Sequence, residues 1–392
     1  MSKTVVVLGA GTSGCAAAER LRAVLSPADH IVMIDRSFTG SLGLSSLRVL
    51  AGWRRPEEVT ATVKQTALLG VSLKVGEATE VDTAAETVTY RAGDTEHRLG
   101  YDALLVALGA DLDTAALPGL DAAISAGRAA QFYTPDGAEE LRWRAEALSA
   151  GRLVVLIPPP PFKCPPAPYE AAFLLADQLG EKLTSGAVRL DVISAEPYPI
   201  PVAGPEVGAG VTDLLSARGI GFHPGRSATG IDPGSASITF ADGSTEHADL
   251  LAVVPPHTAP AAAVAPDLVN AGGWLPVEAS TLATAAPGVW AVGDATAVTL
   301  ANGKPMPKAG VFAEGQALVA ADQIARHLGY DAPDTRYAGD GGCLLVVGGG
   351  RAAKVAGRFL ADPAPQVTLY APTPQLHAEK EQLERDWLAR WH

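Results

Sequence analysis

The chain has 392 residues, of which 47% are hydrophobic and 19% are charged. This composition allows a large core and excludes intrinsic disorder, and the length suggests two or three domains. Thirty basic and 43 acidic residues give a net charge of −13, which argues against a nucleic-acid partner because phosphate backbones call for a basic surface. Three cysteines, Cys15, Cys164 and Cys343, are too few for a disulfide scaffold.

The N-terminus has the pattern of a dinucleotide-binding unit. A β-branched run (TVVVL) predicts a strand, Gly9, Gly11 and Gly14 follow in GxGxxG spacing, and an alanine-rich stretch predicts a helix. Asp35 closes the next apolar run. In such units a pyrophosphate lies on the helix N-terminus and the acid binds a ribose hydroxyl. We predict that these glycines, Asp35 and the adjacent Arg36 bind a dinucleotide, and that Cys15, inside the helix, is a core residue.

Two later segments indicate which dinucleotide binds. YDALLVALGA contains Gly109 and GVWAVGDAT contains Gly293 and Asp294, in each case at the end of a predicted strand. With the first motif they resemble the two-dinucleotide-binding-domain flavoproteins, in which the last motif places an aspartate on the ribityl and pyrophosphate of FAD. The resemblance covers most of the chain, although Leu108 stands where these proteins often have Thr. It implies an α/β fold of two Rossmann-like, glutathione-reductase-like domains, and FAD contacts at Gly109, Gly293 and Asp294.

Lys308 is predicted at the start of a helix. Pro305 and Pro307 prevent helix before it, and residues 309–328 have helical periodicity. A lysine and free backbone N–H groups at that point would stabilise the negative charge of a reduced flavin near N1 and the C2 carbonyl. We predict that Lys308 contacts the flavin, an ordinary solvated lysine being the alternative.

The place of a second nucleotide loop is filled by prolines. Residues 151–179 contain a predicted strand and helix, but Pro158 to Pro161 and then FKCPP replace the glycines between them. Proline offers no N–H to a phosphate, so we expect no pyridine nucleotide there. The loop presents Cys164 instead. The dipole of the helix predicted from about Pro168 and the charge of Lys163 are expected to lower the pKa of its thiol.

The third cysteine, Cys343, follows Gly341 and Gly342 and opens an apolar strand. We expect the glycine pair to leave room for a substrate or partner to approach the sulfur. The alternative for any free cysteine is a small buried hydrophobic residue.

GAGTSG, KCPPAPYE, PMPKAGVFAEGQA and the late Cys343 together resemble the sulfide dehydrogenase family, which includes sulfide:quinone oxidoreductases and the flavoprotein subunit of flavocytochrome c sulfide dehydrogenase. The end of the chain resembles the latter as well. The resemblance implies that Cys164 and Cys343 form a redox-active disulfide beside the flavin. RSFTGSLGLSSL lacks the cysteine that attaches FAD in the flavocytochrome subunit, so FAD is expected to be noncovalent.

The resulting hypothesis is an FAD-dependent oxidation of sulfide or of a small thiol or persulfide. Electrons would pass through the cysteine pair to FAD and then to a quinone, cytochrome or other acceptor. Lys308 would stabilise the reduced flavin, and Glu170 and His257 are candidate proton carriers or else packing residues. Two other interpretations stay open. One is an NAD(P)H-dependent reductase such as a type II NADH dehydrogenase or a ferredoxin reductase, and the other is a non-catalytic, thiol redox-sensing flavoprotein.

The order of elements predicts an FAD-binding domain of residues 1–110 and 260–325, an inserted Rossmann-like domain of residues 111–259, and a C-terminal segment, 326–392. No spanning helix, signal peptide or metal site is evident, so we expect a cytoplasmic protein. The last predicted helix has Leu383, Trp387 and Trp391 on one face with mixed charges. We expect that face to dock on its own protein or on a second subunit in a homo-oligomer, with peripheral membrane contact as the alternative.

Overall fold

A computed structural model describes residues 2–391, except for the side chain of Ala262. Its first sheet has five parallel strands, as the apolar runs of the N-terminal half require, since parallel strands are buried on both faces. In spatial order they are Val289–Ala291, Ala103–Val106, Thr4–Leu8, His30–Asp35 and Val71–Val75. The first helix, Thr12–Val24, packs against the long helix Gly310–His327 on one face of this sheet.

The second sheet repeats this plan. Its five parallel strands, in spatial order, are Ala129–Gln131, Leu250–Val253, Gly151–Ile157, Val188–Ser194 and Gly221–His223. Its larger helices are Pro135–Ala147, Ala167–Leu179 and Pro205–Ala217. The two parallel sheets confirm the predicted α/β class with two Rossmann-like units.

The chain passes twice between the two sheets, and the two crossings pair with each other. Asp111–Leu112 leaves the first sheet and is antiparallel to His257–Thr258, which returns from the second. The predicted domain boundaries near residues 110 and 260 coincide with this pair, and assigning them as domain limits is a proposal.

A C-terminal unit covers one side of both sheets. It is a three-stranded antiparallel sheet, Asp340–Gly348, Arg351–Arg358 and Gln366–Thr373, followed by the C-terminal helix Pro374–Trp391. The first of these strands packs on the helix Ala167–Leu179. The same strand also contacts the long helix Gly310–His327, so the C-terminal unit packs on helices of both Rossmann-like units.

Smaller elements complete the fold. The other antiparallel sheets are Glu77–Asp82 with Thr87–Ala92 and Thr95–Gly100; Ala228–Asp232 with Ser237–Phe240 and Thr245–His247; and Thr39–Ser41 with Thr60–Thr62. Leu275–Pro276 and Thr296–Ala297 form a parallel pair. The short helices are Gly43–Leu50, Pro56–Val59, Leu120–Ser125, Glu181–Thr184 and Ala261–Val264. Across residues 2–391, no helix is both long enough and apolar enough to cross a membrane.

Candidate functional site

The GxGxxG loop forms an anion cradle. Gly9 has φ of +97°, and a Cβ there would lie 2.4 Å from the carbonyl oxygen of Ala107. A Cβ on Gly14 would lie 1.9 Å from the carbonyl oxygen of Gly9, so this glycine lets the helix approach the strand. Gly11 caps the first helix without a side-chain hydrogen bond, and the space beside it is open. Turn, close helix packing and an open helix N-terminus are what a pyrophosphate site requires.

Asp35 lies at the edge of this cradle, at the end of its strand. One carboxylate oxygen accepts a 2.8 Å hydrogen bond from the N–H of Ala10, and the other accepts from the N–H groups of Ser37 and Phe38. The carboxylate therefore fixes both loops at the position where a ribose would bind. Arg36 points across the surface to Asp111, with 3.2 Å between nitrogen and oxygen.

Gly109, Gly293 and Asp294 lie at the carboxyl ends of two adjacent strands of the first sheet. Both glycines have positive φ, +70° and +71°, and the N–H of Gly293 donates to the Gln316 side chain at 2.7 Å. Asp294 is followed by the short strand Thr296–Ala297, after which the chain continues to Lys308. Its Oδ1 is buried and has no hydrogen-bond partner among the described residues. A buried carboxylate oxygen without a partner fits a ligand that brings hydroxyl donors, as the ribityl chain of FAD does.

The Lys308 ammonium is held next to Asp294. Nζ donates to the carbonyl oxygens of Asp294, at 2.6 Å, and Thr296, at 3.1 Å, and lies 3.6 Å from the ring centroid of Trp274. Burial lowers the pKa of Lys308 to about 8, although Asp294 opposes the shift. The long helix begins at Gly310, two residues later, as predicted. Lys308 thus adds a positive charge at a helix N-terminus.

The proline loop brings Cys164 to Lys308. The N–H of Cys164 donates a 2.6 Å hydrogen bond to the carbonyl oxygen of Lys308, and the next helix begins at Ala167. Cys164 has φ of +53°, which is rare for a residue other than glycine. Lys163 turns its ammonium away from the sulfur and donates to the carbonyl oxygen of Ala110 at 3.1 Å.

The predicted low pKa of Cys164 is wrong for the free thiol. Burial raises the pKa of Cys164, and the neighbouring Cys343 raises it further, because a second negative charge is unfavourable there; Lys380 opposes both effects. Burial likewise raises the pKa of Cys343 to about 11, again against Lys380. Both cysteines are partly buried, and they lie near enough to each other for their charges to interact. They are free thiols in this structure.

Gly341 and Gly342, which precede Cys343, have a packing role in the structure, and the access of a substrate to the sulfur of Cys343 stays a prediction. A Cβ on Gly341 would lie 2.3 Å from the ring of Phe312, and one on Gly342 would lie 2.5 Å from Cβ of Ala356. The glycines thus allow the strand to pack closely on its neighbours, and the space beside them is already filled.

A buried ion pair joins the surroundings of both cysteines. Lys380, on the C-terminal helix, lies 2.5 Å from Glu170, which is in the helix that follows Cys164. Its Nζ also donates to the carbonyl oxygen of Leu344, and Glu170 accepts from the N–H of Val346, both in the strand that carries Cys343. Glu170 is thus buried and paired rather than at the surface, and Lys380 supplies the positive charge that both thiols sense.

Cys15 and His257 are the two remaining candidates, and both are buried. Cys15 is a core residue, as predicted, and burial raises its pKa to about 12. His257 lies where the chain returns from the second sheet, and its Nδ1 is 2.8 Å from the carbonyl oxygen of Pro255. Burial and then Lys163 lower the pKa of His257 to about 3, so the ring stays neutral at physiological pH. Of the two interpretations of His257, proton carrier or packing residue, the buried and neutral ring favours packing, and the role of His257 stays a prediction.

Comparison with known proteins identifies two family models and a curated relative that match parts of the chain. Residues 3–155 match the family model for pyridine nucleotide-disulphide oxidoreductases, and residues 138–201 match that for the central part of the flavoprotein chain of flavocytochrome c sulfide dehydrogenase. The sulfide-quinone reductase of Aquifex aeolicus is 26% identical over 250 residues, which are 62% of this chain and 56% of that protein. The chain thus matches little more than half the length of this curated relative.

Solved structures show the same fold. The sulfide:quinone oxidoreductase of Aquifex aeolicus superposes with a TM-score of 0.83 at 23% identity, covering 99% of this chain and 92% of that one. NDH2 from Plasmodium falciparum, solved with NADH, gives 0.71 at 11% identity, covering 100% and 96%. The NAD-dependent persulfide reductase of A. fulgidus gives 0.66 at 20%, covering 90% and 64%. The matches confirm the resemblance to sulfide dehydrogenase flavoproteins and, with the cradle, FAD as the cofactor.

Proposed function

We propose that this chain, a two-dinucleotide-domain flavoprotein similar to the sulfide dehydrogenases, oxidises sulfide or a small thiol or persulfide through Cys164 and Cys343. The observation that carries the proposal is that Cys164 and Cys343, far apart in sequence, are both partly buried and near enough for the charge of one to raise the pKa of the other, while the backbone N–H of Cys164 donates to the Lys308 carbonyl oxygen. The matched sulfide dehydrogenase segment, residues 138–201, contains one of the two.

The resting enzyme has a Cys164–Cys343 disulfide. A sulfide ion attacks one sulfur; a new S–S bond forms, the disulfide breaks, and the other cysteine leaves as a thiolate. The thiolate then forms a second S–S bond to the outer sulfur of the persulfide. This gives a bridging sulfur between the two cysteines and releases one proton and two electrons. FAD, bound noncovalently, supplies the two-electron acceptor. A second sulfur nucleophile removes the bridging sulfur and restores the disulfide.

Lys380 and Glu170 support the leaving thiolate. Since burial opposes a negative charge on either cysteine, a positive charge within the site is needed to form one. The Lys380 ammonium supplies it, and Glu170 holds that ammonium against the strand that carries Cys343. Glu170 therefore positions Lys380 in this account.

The flavin side of the site is provided by the first sheet. Gly9, Gly11 and Gly14 hold the pyrophosphate on the first helix, and Asp35 faces the adenosine ribose. Gly109 and Gly293 allow the strand ends to approach the cofactor, and Asp294 binds the ribityl hydroxyls. Arg36 lies beside Asp35 at the outer edge of the dinucleotide site. Lys308 stabilises the negative charge of the reduced ring. Electrons then pass to a quinone, cytochrome or other acceptor.

The competing NAD(P)H reductase has a specific difficulty. Residues 158–166, which connect the strand Gly151–Ile157 to its helix, include six prolines. A nicotinamide dinucleotide in a Rossmann unit relies on backbone N–H donors in this loop. Here the loop instead places a cysteine next to Lys308. We therefore propose that the electron donor is a sulfur compound rather than the hydride of NAD(P)H.

Steady-state turnover tests this function. The purified holoenzyme is given sulfide, glutathione persulfide, cysteine or NADH, each with a short-chain quinone or cytochrome c. The proposal expects sustained acceptor reduction with at least one sulfur donor and none with NADH. Turnover with NADH alone would favour the reductase, and a single flavin reduction without turnover would favour the redox sensor.

A further inference from the structure

One nitrogen of a buried histidine lacks a partner. His257 is 7% exposed, and its Nε2 has no hydrogen-bond partner among the described residues. Nδ1 lies 2.8 Å from the Pro255 carbonyl oxygen, which can only accept, so Nδ1 carries the hydrogen of the ring. Because the ring is neutral, Nε2 is a bare acceptor. A buried acceptor without a donor calls for a ligand that supplies one.

The surroundings of His257 are those of the flavin site. Lys163 and Lys308, which are paired through their backbones, both lower the pKa of His257 and oppose the rise in the pKa of Asp294, so the charges of both ammonium groups act on the two acceptors. Tyr133 packs edge-on against the imidazole, with 5.1 Å between ring centroids. The hydroxyl of Tyr133 is already used, because it donates to the carbonyl oxygen of Lys163 at 3.0 Å.

The described lysines near His257 donate some of their ammonium hydrogens to backbone carbonyl oxygens and none to Nε2. Lys308 donates to Asp294 and Thr296, and Lys163 donates to Ala110. Each ammonium has three hydrogens, so Lys308 retains one and Lys163 two for a ligand. The site therefore offers an acceptor, Nε2, accompanied by two cationic donors.

This pattern complements the pyrimidine edge of a flavin. That edge presents two carbonyl oxygens, C2=O and C4=O, with a single N–H donor, N3–H, between them. We infer that His257 Nε2 accepts a hydrogen bond from flavin N3–H, with Lys163 and Lys308 as donors to the flanking carbonyls. His257 is thus a positioning residue for the cofactor, and the inference rests on FAD binding rather than on sulfur chemistry.

The nitrogen resonance of N3 gives a direct test. Holoenzyme carrying biosynthetically ¹⁵N-labelled FAD is compared as wild type, His257→Leu and His257→Gln, with Tyr133→Phe as the neighbouring control. Loss of the acceptor moves the N3 resonance upfield in His257→Leu, whereas Gln, whose amide oxygen accepts, retains most of the wild-type shift, and Tyr133→Phe retains all of it. An unchanged N3 resonance in FAD-loaded His257→Leu would overturn the inference.

A second measurement changes the cofactor, so that its main comparison uses only wild-type protein. Wild-type protein exchanges its cofactor for FAD methylated at N3, which has no N3–H. The inference expects binding weakened by about tenfold or more, since Nε2 is left buried without a donor. His257→Ala, which removes the acceptor and makes space, should bind both cofactors equally. Equal affinity of the wild type for both would refute the hydrogen bond and leave sulfide oxidation untouched.

Discussion

The backbone N–H of Cys164 donates a 2.6 Å hydrogen bond to the carbonyl oxygen of Lys308. The cysteine belongs to the loop of the second Rossmann unit, and the lysine follows the flavin-site strands of the first. This bond fixes the sulfur site against the flavin site across the junction of the two sheets. A two-electron transfer between thiol and flavin needs such a fixed approach.

Replacing either reactive cysteine by serine should abolish flavin reduction by sulfide. Serine cannot form the disulfide, so no S–S bond is available for attack. We expect Cys164→Ser and Cys343→Ser to bind FAD normally but to show no anaerobic bleaching with sulfide. Cys15→Ser is the matched control, since Cys15 lies in the core of the first helix, and it should bleach like the wild type. Full activity in both reactive-site variants would leave the disulfide without a role.

Removing the Lys380 ammonium should make both thiols harder to ionise. Lys380 lowers the pKa values of Cys164 and Cys343, so Lys380→Met should raise the pKa of Cys343 above about 11, by roughly one unit or more. In the dithiol protein, the pH profile of iodoacetamide alkylation should then move to higher pH.

Because Lys380→Met also leaves the buried Glu170 unpaired, at a cost of about 3–5 kcal/mol, Lys380→Met with Glu170→Leu serves as a second variant. Its alkylation profile should still lie above that of the wild type, since Lys380 acts more strongly on Cys343 than Glu170 does. The exposed Lys74 provides the charge control, Lys74→Met. Coincident profiles for all four proteins would show that Lys380 does not act on the thiols.

Loss of the Lys308 charge should lower the flavin reduction potential. Lys308→Met removes a buried positive charge that favours the reduced anion, and a shift of about 30 mV would correspond to about 1.4 kcal/mol for a two-electron couple. Burial lowers the pKa of Lys308 to about 8, so the difference from wild type should be full below that pH and fade as pH rises through it. Spectroelectrochemistry against Lys304→Met, in the same loop, measures this; equal potentials would contradict the assignment.

The C-terminal helix should stabilise the protein through its last turn. Trp391 is 2% exposed and its indole N–H donates to Glu19, so Trp391→Ala should reduce the free energy of unfolding by about 3–5 kcal/mol. Leu383, predicted on the same face, is 48% exposed. Leu383→Ala should therefore change the free energy of unfolding by less than about 0.5 kcal/mol. Urea unfolding followed by tryptophan fluorescence gives both values. Similar effects for the two would contradict docking through Trp391.

Local sequence patterns predicted the geometry of the glycine loop and of the helix starts well. The roles of Gly9, Gly11 and Gly14 follow from a turn and a helix start within a few residues, which adjacent residues determine. The start of the long helix after Lys308 was predicted for the same reason, from prolines at neighbouring positions. The resemblance of the whole chain to flavoproteins with two dinucleotide-binding domains was inferred from the order of these motifs.

The sulfur half depended on tertiary contacts that spacing does not reveal. The raised pKa of Cys164 comes from burial, which only the assembled molecule determines. Lys380 was missed because its partner, Glu170, is 210 residues away and nothing local marks a lysine as buried. The tautomer of His257 could not be predicted from the sequence because it depends on the turn that places the Pro255 carbonyl at Nδ1.

The central claim is that electrons reach the flavin from sulfur by way of the cysteine pair, and anaerobic titration of the oxidised holoenzyme tests it most directly. Sulfide is added stepwise while flavin absorbance is recorded, and NADH is added to a parallel sample. The account predicts bleaching by about one sulfide per FAD, as the two-electron stoichiometry requires, and no change with NADH. Rapid bleaching by NADH, with none by sulfide, thiols or persulfides, would contradict it.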